Sequence, residues 1–187
     1  MSLADKLRES DAFQKALRVS KDFTSLVTPH HIGMVVGNLE KAMDGFTAAF
    51  GSTFSVFEAT DANSRFSGSS ASFGLRIGIG HLGPTMVELI SPVAGATLYS
   101  TFLSEHGPGL HHLGFCTTDL AGAEQRLDAL SYNRVLSGSI QDLCRMSYYQ
   151  APELGFVIEP LQLSAALPVF LIKNAKIYKG ANPAQNR

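Results

Sequence analysis

Two histidines and two glutamates occur at matched places in two similar segments, and together they have the chemistry of a metal site. His31 begins the segment His31-Ile32-Gly33, and His112 begins the segment His112-Leu113-Gly114 in the second half of the chain. Glu88 and Glu159 lie inside later apolar segments of the same two halves. Two imidazoles and two carboxylates suit one divalent cation, because the carboxylates balance its charge. A glutamate inside an apolar strand would be costly without such a partner.

A cation held by four protein ligands points to a particular kind of chemistry. With octahedral geometry two coordination positions stay open, which suits a substrate that presents two adjacent oxygens. The metal would stabilise the enediolate or enolate that forms when a proton leaves the carbon next to a carbonyl. A carboxylate at the edge of the metal would move that proton, and the candidates are Glu159 and, by the pseudo-symmetry of the two halves, Glu88. The metal itself stays open among zinc, nickel, cobalt, manganese, magnesium and iron.

The elements that must position these residues repeat in the same order. A buried strand is predicted over residues 31–36. A helix from Leu39 to Phe50 follows, because apolar residues recur at helical spacing between a capping Asn38 and a terminating Gly51. Three further strands are predicted at residues 53–58, 73–80 and 85–90, with a polar connection over residues 61–72.

The second half follows the same plan after a short helix predicted over residues 98–105. Asp119 stands at the same offset from Asn38 as His112 from His31, and a helix is predicted after it over residues 120–130. The remaining strands are predicted at residues 133–136, 143–150 and 156–161. The offset between Glu88 and Glu159 is smaller than the offset between the two histidines, so the second copy is shorter between its histidine and its glutamate.

The sequence therefore predicts an α+β fold with two βαβββ modules that form a curved, cup-like mixed sheet. Because alternate side chains on a strand share a face, His31 points the same way as Gly33, and two half-cups would bring all four candidate ligands together inside. The predicted organisation is an N-terminal helical extension (1–27), the first module (28–93), a linker helix with the second module (94–163) and a C-terminal extension (164–187).

Composition narrows the classes of partner. Hydrophobic residues make up 45% and charged residues 17% of the 187 residues, and no long apolar run suggests a membrane span or a signal peptide. The formal net charge of −1 gives no reason to expect nucleic acid as a partner. Two cysteines form no disulfide framework in a chain of this length, so both are expected to be reduced. These features predict a cytoplasmic protein with a small-molecule substrate.

Between residues 28 and 163 the sequence resembles the vicinal oxygen chelate superfamily, which includes glyoxalase I, methylmalonyl-CoA epimerase, extradiol dioxygenases and bleomycin- and fosfomycin-resistance proteins. The resemblance rests on the doubled βαβββ plan, the histidine and glycine at the head of each copy and the glutamate in each last strand. The stretch from Phe102 to Phe115, followed by Thr118-Asp119-Leu120, is most similar to the methylmalonyl-CoA epimerase and glyoxalase I branch. This resemblance implies a homodimer and a set of four metal ligands, namely His31, Glu88, His112 and Glu159, of which Glu159 also serves as a base.

The chain departs from the epimerase branch at one place. That branch supplies a second catalytic glutamate from the strands between the first helix and the second ligand, whereas residues 64–80 here contain no acidic residue. Glu58 and Asp61 lie nearby but outside that motif. A reaction with one carboxylate base therefore fits better than a two-base epimerisation of methylmalonyl-CoA.

The leading hypothesis is a metal-dependent lyase or isomerase of the glyoxalase type, which acts on a small α-oxygenated carbonyl compound, either free or linked to a thiol or CoA. A non-haem iron dioxygenase is an alternative that would use only His31, His112 and Glu159. A non-catalytic protein of the resistance type would bind its ligand in the cup without chemistry. The simplest alternative for either glutamate is that it faces solvent or pairs with an arginine such as Arg76 or Arg145.

Neighbouring residues have simpler interpretations. His30 and His111 precede the two candidate ligands and are expected to be mainly structural, because adjacent strand residues point to opposite faces. For the same reason, at most one of Tyr148 and Tyr149 can face the site.

Overall fold

The molecule consists of three helices and one curved sheet of ten strands within the residues that the structure, a computed structural model, describes, namely 28–62, 64–67, 72–165 and 176–178. The predicted α+β class is confirmed. The predicted N-terminal extension and most of the C-terminal extension lie outside the described residues. None of the described helices is long and apolar enough to cross a membrane.

The elements of the two copies follow each other along the chain. The first copy contains β1 (His31–Val35), α1 (Leu39–Phe50), β2 (Phe54–Thr60), β3 (Ser64–Phe66), β4 (Gly74–Leu82) and β5 (Thr85–Ala94). A linking helix, α2 (Leu98–His106), comes next. The second copy contains β6 (Gly109–Cys116), α3 (Leu120–Ala129), β7 (Asn133–Ile140), β8 (Cys144–Ala151), a 3-10 turn (Pro152–Leu154) and β9 (Phe156–Leu163), and a short β10 (Lys176–Ile177) follows.

The two copies meet at the middle of the sheet. The strand order is β10-β2-β4-β5-β1-β6-β9-β8-β7-β3. β1 runs parallel to β5 and β6 runs parallel to β9, whereas β1 and β6 are antiparallel to each other. The central four strands are therefore β5, β1, β6 and β9, two from each copy.

One helix of each copy covers the outer face of the sheet. The carboxamide of Asn38 accepts a hydrogen bond from the backbone N–H of Lys41, and the carboxylate of Asp119 accepts one from the N–H of Gly122, so each helix begins at the predicted cap. α1 ends at Gly51, whose φ of 68° is the left-handed conformation that glycine adopts readily. Apolar residues on the inner sides of α1 and α3 pack against the face of the sheet opposite to Glu88 and Glu159, which leaves the concave face free.

Two of the ten strands were not predicted, namely β3 and the short β10. β3 lies within the polar connection expected over residues 61–72, and it pairs antiparallel with β7 at the far edge of the sheet. It follows β2 closely along the chain but belongs to the opposite edge. The sheet must therefore curl strongly to bring its two edges near each other.

Candidate metal centre

The four candidate ligands lie on the four central strands, one on each. Glu88 on β5 pairs in register with Gly33 on β1, and His112 on β6 pairs with the same glycine from the other side. On the other half of the junction, Gly114 on β6 pairs with both His31 and Glu159. The pairings thus place Glu88 and His112 in one row across the concave face, and His31 and Glu159 in a second row two residues away along the strands.

The ligand atoms of these side chains converge to one point. One nitrogen or oxygen atom from each residue lies within 4.8 Å of the corresponding atoms of the other three. Nε2 of His31 is 3.2 Å from Nε2 of His112, 2.9 Å from Oε2 of Glu159 and 3.6 Å from Oε2 of Glu88. Nε2 of His112 is 3.3 Å from the same oxygen of each glutamate.

These separations fit a single metal ion. An ion about 2.1 Å from each donor holds neighbouring donors about 3.0 Å apart at right angles and about 3.4 Å apart in a tetrahedron. Oε2 of Glu159 is buried and has no hydrogen-bond partner among the described residues, although Nε2 of His31 lies close by. A cation would satisfy this oxygen and would also explain why two imidazole nitrogens face each other. The cluster can therefore hold one metal ion.

Two glycines make this convergence possible. The imidazole of His112 lies against Gly33, and that of His31 lies against Gly114, so that a Cβ on either glycine would overlap the ring of the histidine from the other copy. The glycine two residues after each histidine therefore makes room for the other histidine.

A second pair of histidines supports the first. Nδ1 of His30 is 3.1 Å from Nδ1 of His31, and Nδ1 of His111 is 2.9 Å from Nδ1 of His112. Neither His30 nor His111 belongs to the converging group of ligand atoms, as expected. Each nevertheless contacts the nitrogen of a candidate ligand that is turned away from the centre, and such outer contacts fix the orientation of a metal-binding imidazole. No sequence signal indicates this contact, because adjacent residues on a strand are expected to diverge.

Two tyrosines extend the network of the centre. The hydroxyl of Tyr99 donates a hydrogen bond of 2.9 Å to the hydroxyl of Tyr148, whose pKa is raised by burial and by the nearby carboxylate of Glu159. Tyr148 lines the cavity, whereas Tyr149 packs against the outer helix, so the predicted alternation is confirmed. Tyr99, on α2, was not singled out from the sequence, because nothing in the pattern of that helix indicates which residue points to the sheet.

Burial and the facing charges set the protonation of these groups. Burial lowers the pKa of His31, but the carboxylates of Glu159 and Glu88 raise it by more, so the net shift is upward. The pKa of His112 falls to about 4, because burial and the neighbouring His31 outweigh the attraction of Glu159. Burial raises the pKa of Glu88 and holds the pKa of Tyr148 well above its ordinary value. The phenol of Tyr148 is therefore a neutral donor.

The centre forms part of the wall of a cavity of about 130 Å³ on the concave face. Its other walls come from both copies and are mostly apolar. Of the two glutamates, Glu88 is the more accessible, with 16% of its side chain exposed against 4% for Glu159.

The alternative ion pairs for the two glutamates are not formed. Arg76 bonds Glu40 on α1, with a separation of 2.7 Å, and Arg145 is exposed. Glu58 and Asp61 are also exposed, so neither supplies the second acid of the epimerase branch.

The comparisons with known proteins agree with this geometry. Residues 30–145, more than half of the chain, match the model of the Glyoxalase/Bleomycin resistance protein/Dioxygenase superfamily. The chain belongs to this superfamily, which confirms the resemblance seen in the sequence. A search of curated proteins finds no match.

Solved structures share the fold at low sequence identity. Methylmalonyl-CoA epimerase from Mycobacterium tuberculosis is 22% identical, with a TM-score of 0.59 over 78% of this chain and 95% of that chain. A hypothetical protein from Bacillus halodurans is 13% identical, with a TM-score of 0.57 over 73% of this chain and 94% of that chain. A variant of methylmalonyl-CoA epimerase from Streptomyces coelicolor, in complex with 2-nitronate-propionyl-CoA, is 19% identical, with a TM-score of 0.54 over 75% of this chain and 100% of that chain.

Proposed function

We propose that the protein is a metal-dependent lyase or isomerase of the glyoxalase type, which moves a proton next to a carbonyl group of a small substrate. The observation that carries this proposal is the convergence of two histidines and two glutamates at the wall of a cavity. Within the superfamily fold, such a cluster offers both a place for a cation and a carboxylate beside it.

The surroundings of the two glutamates favour different roles for them. Glu159 is nearly inaccessible and its Oε2 lies 2.9 Å from Nε2 of His31, which suits a fixed metal ligand. Glu88 lies on the cavity wall with part of its side chain exposed, and it is farther from His31 than Glu159 is. We therefore assign the proton transfer to Glu88, which also belongs to the converging group of four, with Glu159 as a ligand only, and so choose between the two bases that the sequence left open.

This assignment defines the roles of the residues in the proposed reaction. A bound divalent ion would supply Lewis-acid polarisation of a carbonyl oxygen. Glu88 takes the proton from the adjacent carbon and returns it to a neighbouring position, since its carboxylate is the accessible base of the wall. The apolar walls limit access of water to the centre.

Two features weigh against the alternatives. The ligand atom of Glu88 belongs to the converging group, so four ligands are available where an iron dioxygenase of the two-histidine, one-carboxylate kind needs three. The segment of β4 that faces the cavity is apolar at Leu75, Ile77 and Ile79, which gives no second carboxylate for a two-base epimerisation.

The test is exchange of deuterium into a model substrate, measured per bound metal ion. Metal-loaded protein in D₂O should catalyse exchange at the carbon next to the carbonyl of 2-hydroxyacetophenone, and chelation should abolish it. Glu88→Gln should lower the exchange rate by a factor of about 100 or more, because a positioned general base typically accelerates proton transfer by at least this factor. Glu153→Gln, at an exposed surface position, is the matched control and should leave it unchanged.

Full exchange after removal of the metal, or after Glu88→Gln, would refute the proposal. Oxygen consumption by the iron-loaded protein would instead favour the dioxygenase. A protein that binds no stoichiometric metal would favour a non-catalytic ligand-binding role.

A further inference from the structure

We propose that the substrate carries an apolar body beyond its two metal-binding oxygens, with no carboxylate or phosphate group inside the cavity. This inference rests on the proposed function and narrows its substrate class. The superfamily match and the ligand cluster do not themselves specify what the rest of the cavity accepts.

The walls of the cavity are built mainly from apolar side chains of both copies. These side chains alternate along the strands that face the cavity, so β4 contributes Leu75, Ile77 and Ile79, and β8 and β9 contribute Met146, Leu161 and Leu163. Several of these belong to the same buried cluster as the core, yet they also border open space. An apolar space of this kind favours an apolar occupant, because water gains few partners there.

The cavity offers no lysine or arginine to an anionic group, as far as the described residues extend. Arg76, the basic residue on β4, points to the outer face, where it bonds Glu40. The acidic side chains of the cavity are those of Glu88 and Glu159, which balance the charge of a divalent cation and leave no positive charge for an anionic body. A charged group transferred to such a wall without a partner loses its hydration and gains nothing in return.

The apolar surface flanks the centre on both sides. Met86 on β5 pairs in register with His31 on one side and with His81 on the other, so the three side chains form a row across the sheet. Two strand spacings separate the ends of this row by about 10 Å. On the second copy, Glu159 is followed along the same face by Leu161 and Leu163. A substrate bound by its oxygens at the centre would therefore meet Met86 and then the imidazole of His81 in one direction, and Leu161 and Leu163 in the other.

The test uses three probes with one metal-binding head and different bodies. Acetohydroxamate, hexanohydroxamate and succinate monohydroxamate all present two adjacent oxygens, but the second adds four methylenes and the third adds a carboxylate. Their affinities for the cobalt-loaded protein can be measured from the visible spectrum of the metal. Because each buried methylene is worth about fourfold in affinity, hexanohydroxamate should bind about 250 times more tightly than acetohydroxamate if all four methylenes are buried, and about 16 times more tightly if two are. Succinate monohydroxamate should bind no more tightly than acetohydroxamate.

A charge placed on the wall should change this ranking. Leu163 is partly exposed, so a lysine there can keep its ammonium group near water. Leu163→Lys should weaken hexanohydroxamate and strengthen succinate monohydroxamate at least threefold each. Leu163→Met, which preserves the apolar volume, should leave both affinities within about twofold.

The outcomes separate the two proposals. If none of the probes changes the cobalt spectrum, the centre does not take two oxygens, and the proposed function fails together with this inference. If the probes bind but succinate monohydroxamate equals or exceeds hexanohydroxamate, or if the four methylenes add no affinity, only the apolar substrate class is refuted.

Discussion

Each histidine of the centre depends on a glycine that belongs to the other copy. The rings of His31 and His112 occupy the space over Gly114 and Gly33, on neighbouring antiparallel strands. Neither glycine has a positive φ, so the backbone conformation does not itself require glycine. A larger side chain is excluded because the histidine ring lies against the glycine. Side-chain volume at two positions thus determines whether the imidazoles can meet.

Substitution of these glycines should disturb the centre directly. Gly33→Ala should displace the ring of His112, and Gly114→Ala should displace that of His31, because the new methyl group would overlap the ring. Each substitution should weaken metal binding at least tenfold, as measured by competition with a chelator. Gly45→Ala is the matched control, because nothing lies within 4 Å of its added Cβ and it is exposed on α1.

The control should retain the metal and gain stability of about 0.5 to 1 kcal/mol, since alanine is the better helix former. Unaltered metal affinity in Gly33→Ala and Gly114→Ala would show that metal binding does not depend on the present positions of the two imidazole rings.

The outer histidine of the second copy should tune metal affinity. His111 is buried between Tyr99, Phe102 and Tyr148, and its Nδ1 contacts Nδ1 of His112. His111→Phe keeps an aromatic ring there but removes the nitrogen, and it should lower metal affinity about 10- to 100-fold, as loss of an outer-shell partner does.

His111→Gln restores an acceptor and should recover part of the affinity. His106→Phe, at a side chain that is 62% exposed, should leave it unchanged. Equal loss in His111→Phe and His111→Gln would indicate that the residue contributes packing alone.

At the level of residues, the sequence predicted which side chains meet but not all of their neighbours. Repetition and strand alternation identified the convergent group and predicted that at most one of Tyr148 and Tyr149 faces it. The contacts of His30 and His111 with the ligands depend on ring orientation, and the position of Tyr99 depends on how α2 lies on the sheet. Neither can be read from spacing along the chain.

At the level of elements, the duplicated helices begin with caps of equivalent geometry. Asn38 and Asp119 each accept a hydrogen bond from the backbone N–H three residues later, at 2.8 and 2.9 Å. Because the two caps lie in different copies and share no partner, their contributions to stability should be additive.

Removal of the caps should therefore lower stability in two independent steps. Asn38→Ala and Asp119→Ala should each lower the free energy of unfolding by about 1 kcal/mol, and the double variant should lose the sum. Urea denaturation measures this loss. Asn38→Ser and Asp119→Ser, which keep a capping oxygen, should stay close to the parent protein. A double variant that loses much less than the sum would show that the two copies do not unfold as one unit.

Most of the elements could be predicted because their signals are local. Alternation, helical spacing and capping residues lie within a few positions of each other, and they identified the strands that carry the centre and the helices behind them. β3 is very short, and its partner β7 belongs to the other copy, far along the chain. Its pairing is therefore set by the curvature of the whole sheet, which no local pattern encodes.

At the level of the whole molecule, the centre exists only when both copies are assembled. β5 and β1 supply half of the ligands, and β6 and β9 supply the other half, across an antiparallel junction. Any cation bound there would favour the assembled state over the unfolded chain. The homodimer expected from the family stays a prediction, which the mass of the protein in solution would test.

The position of β3 bears on whether the molecule can be divided. If the chain were cut between β5 and α2, the first fragment would carry β3 without the strand it pairs with, and the second would leave the outer edge of β7 uncovered. An uncovered edge readily recruits another strand. The two pieces should therefore reconstitute the molecule when mixed rather than behave as independent units, although the sequence repeats itself.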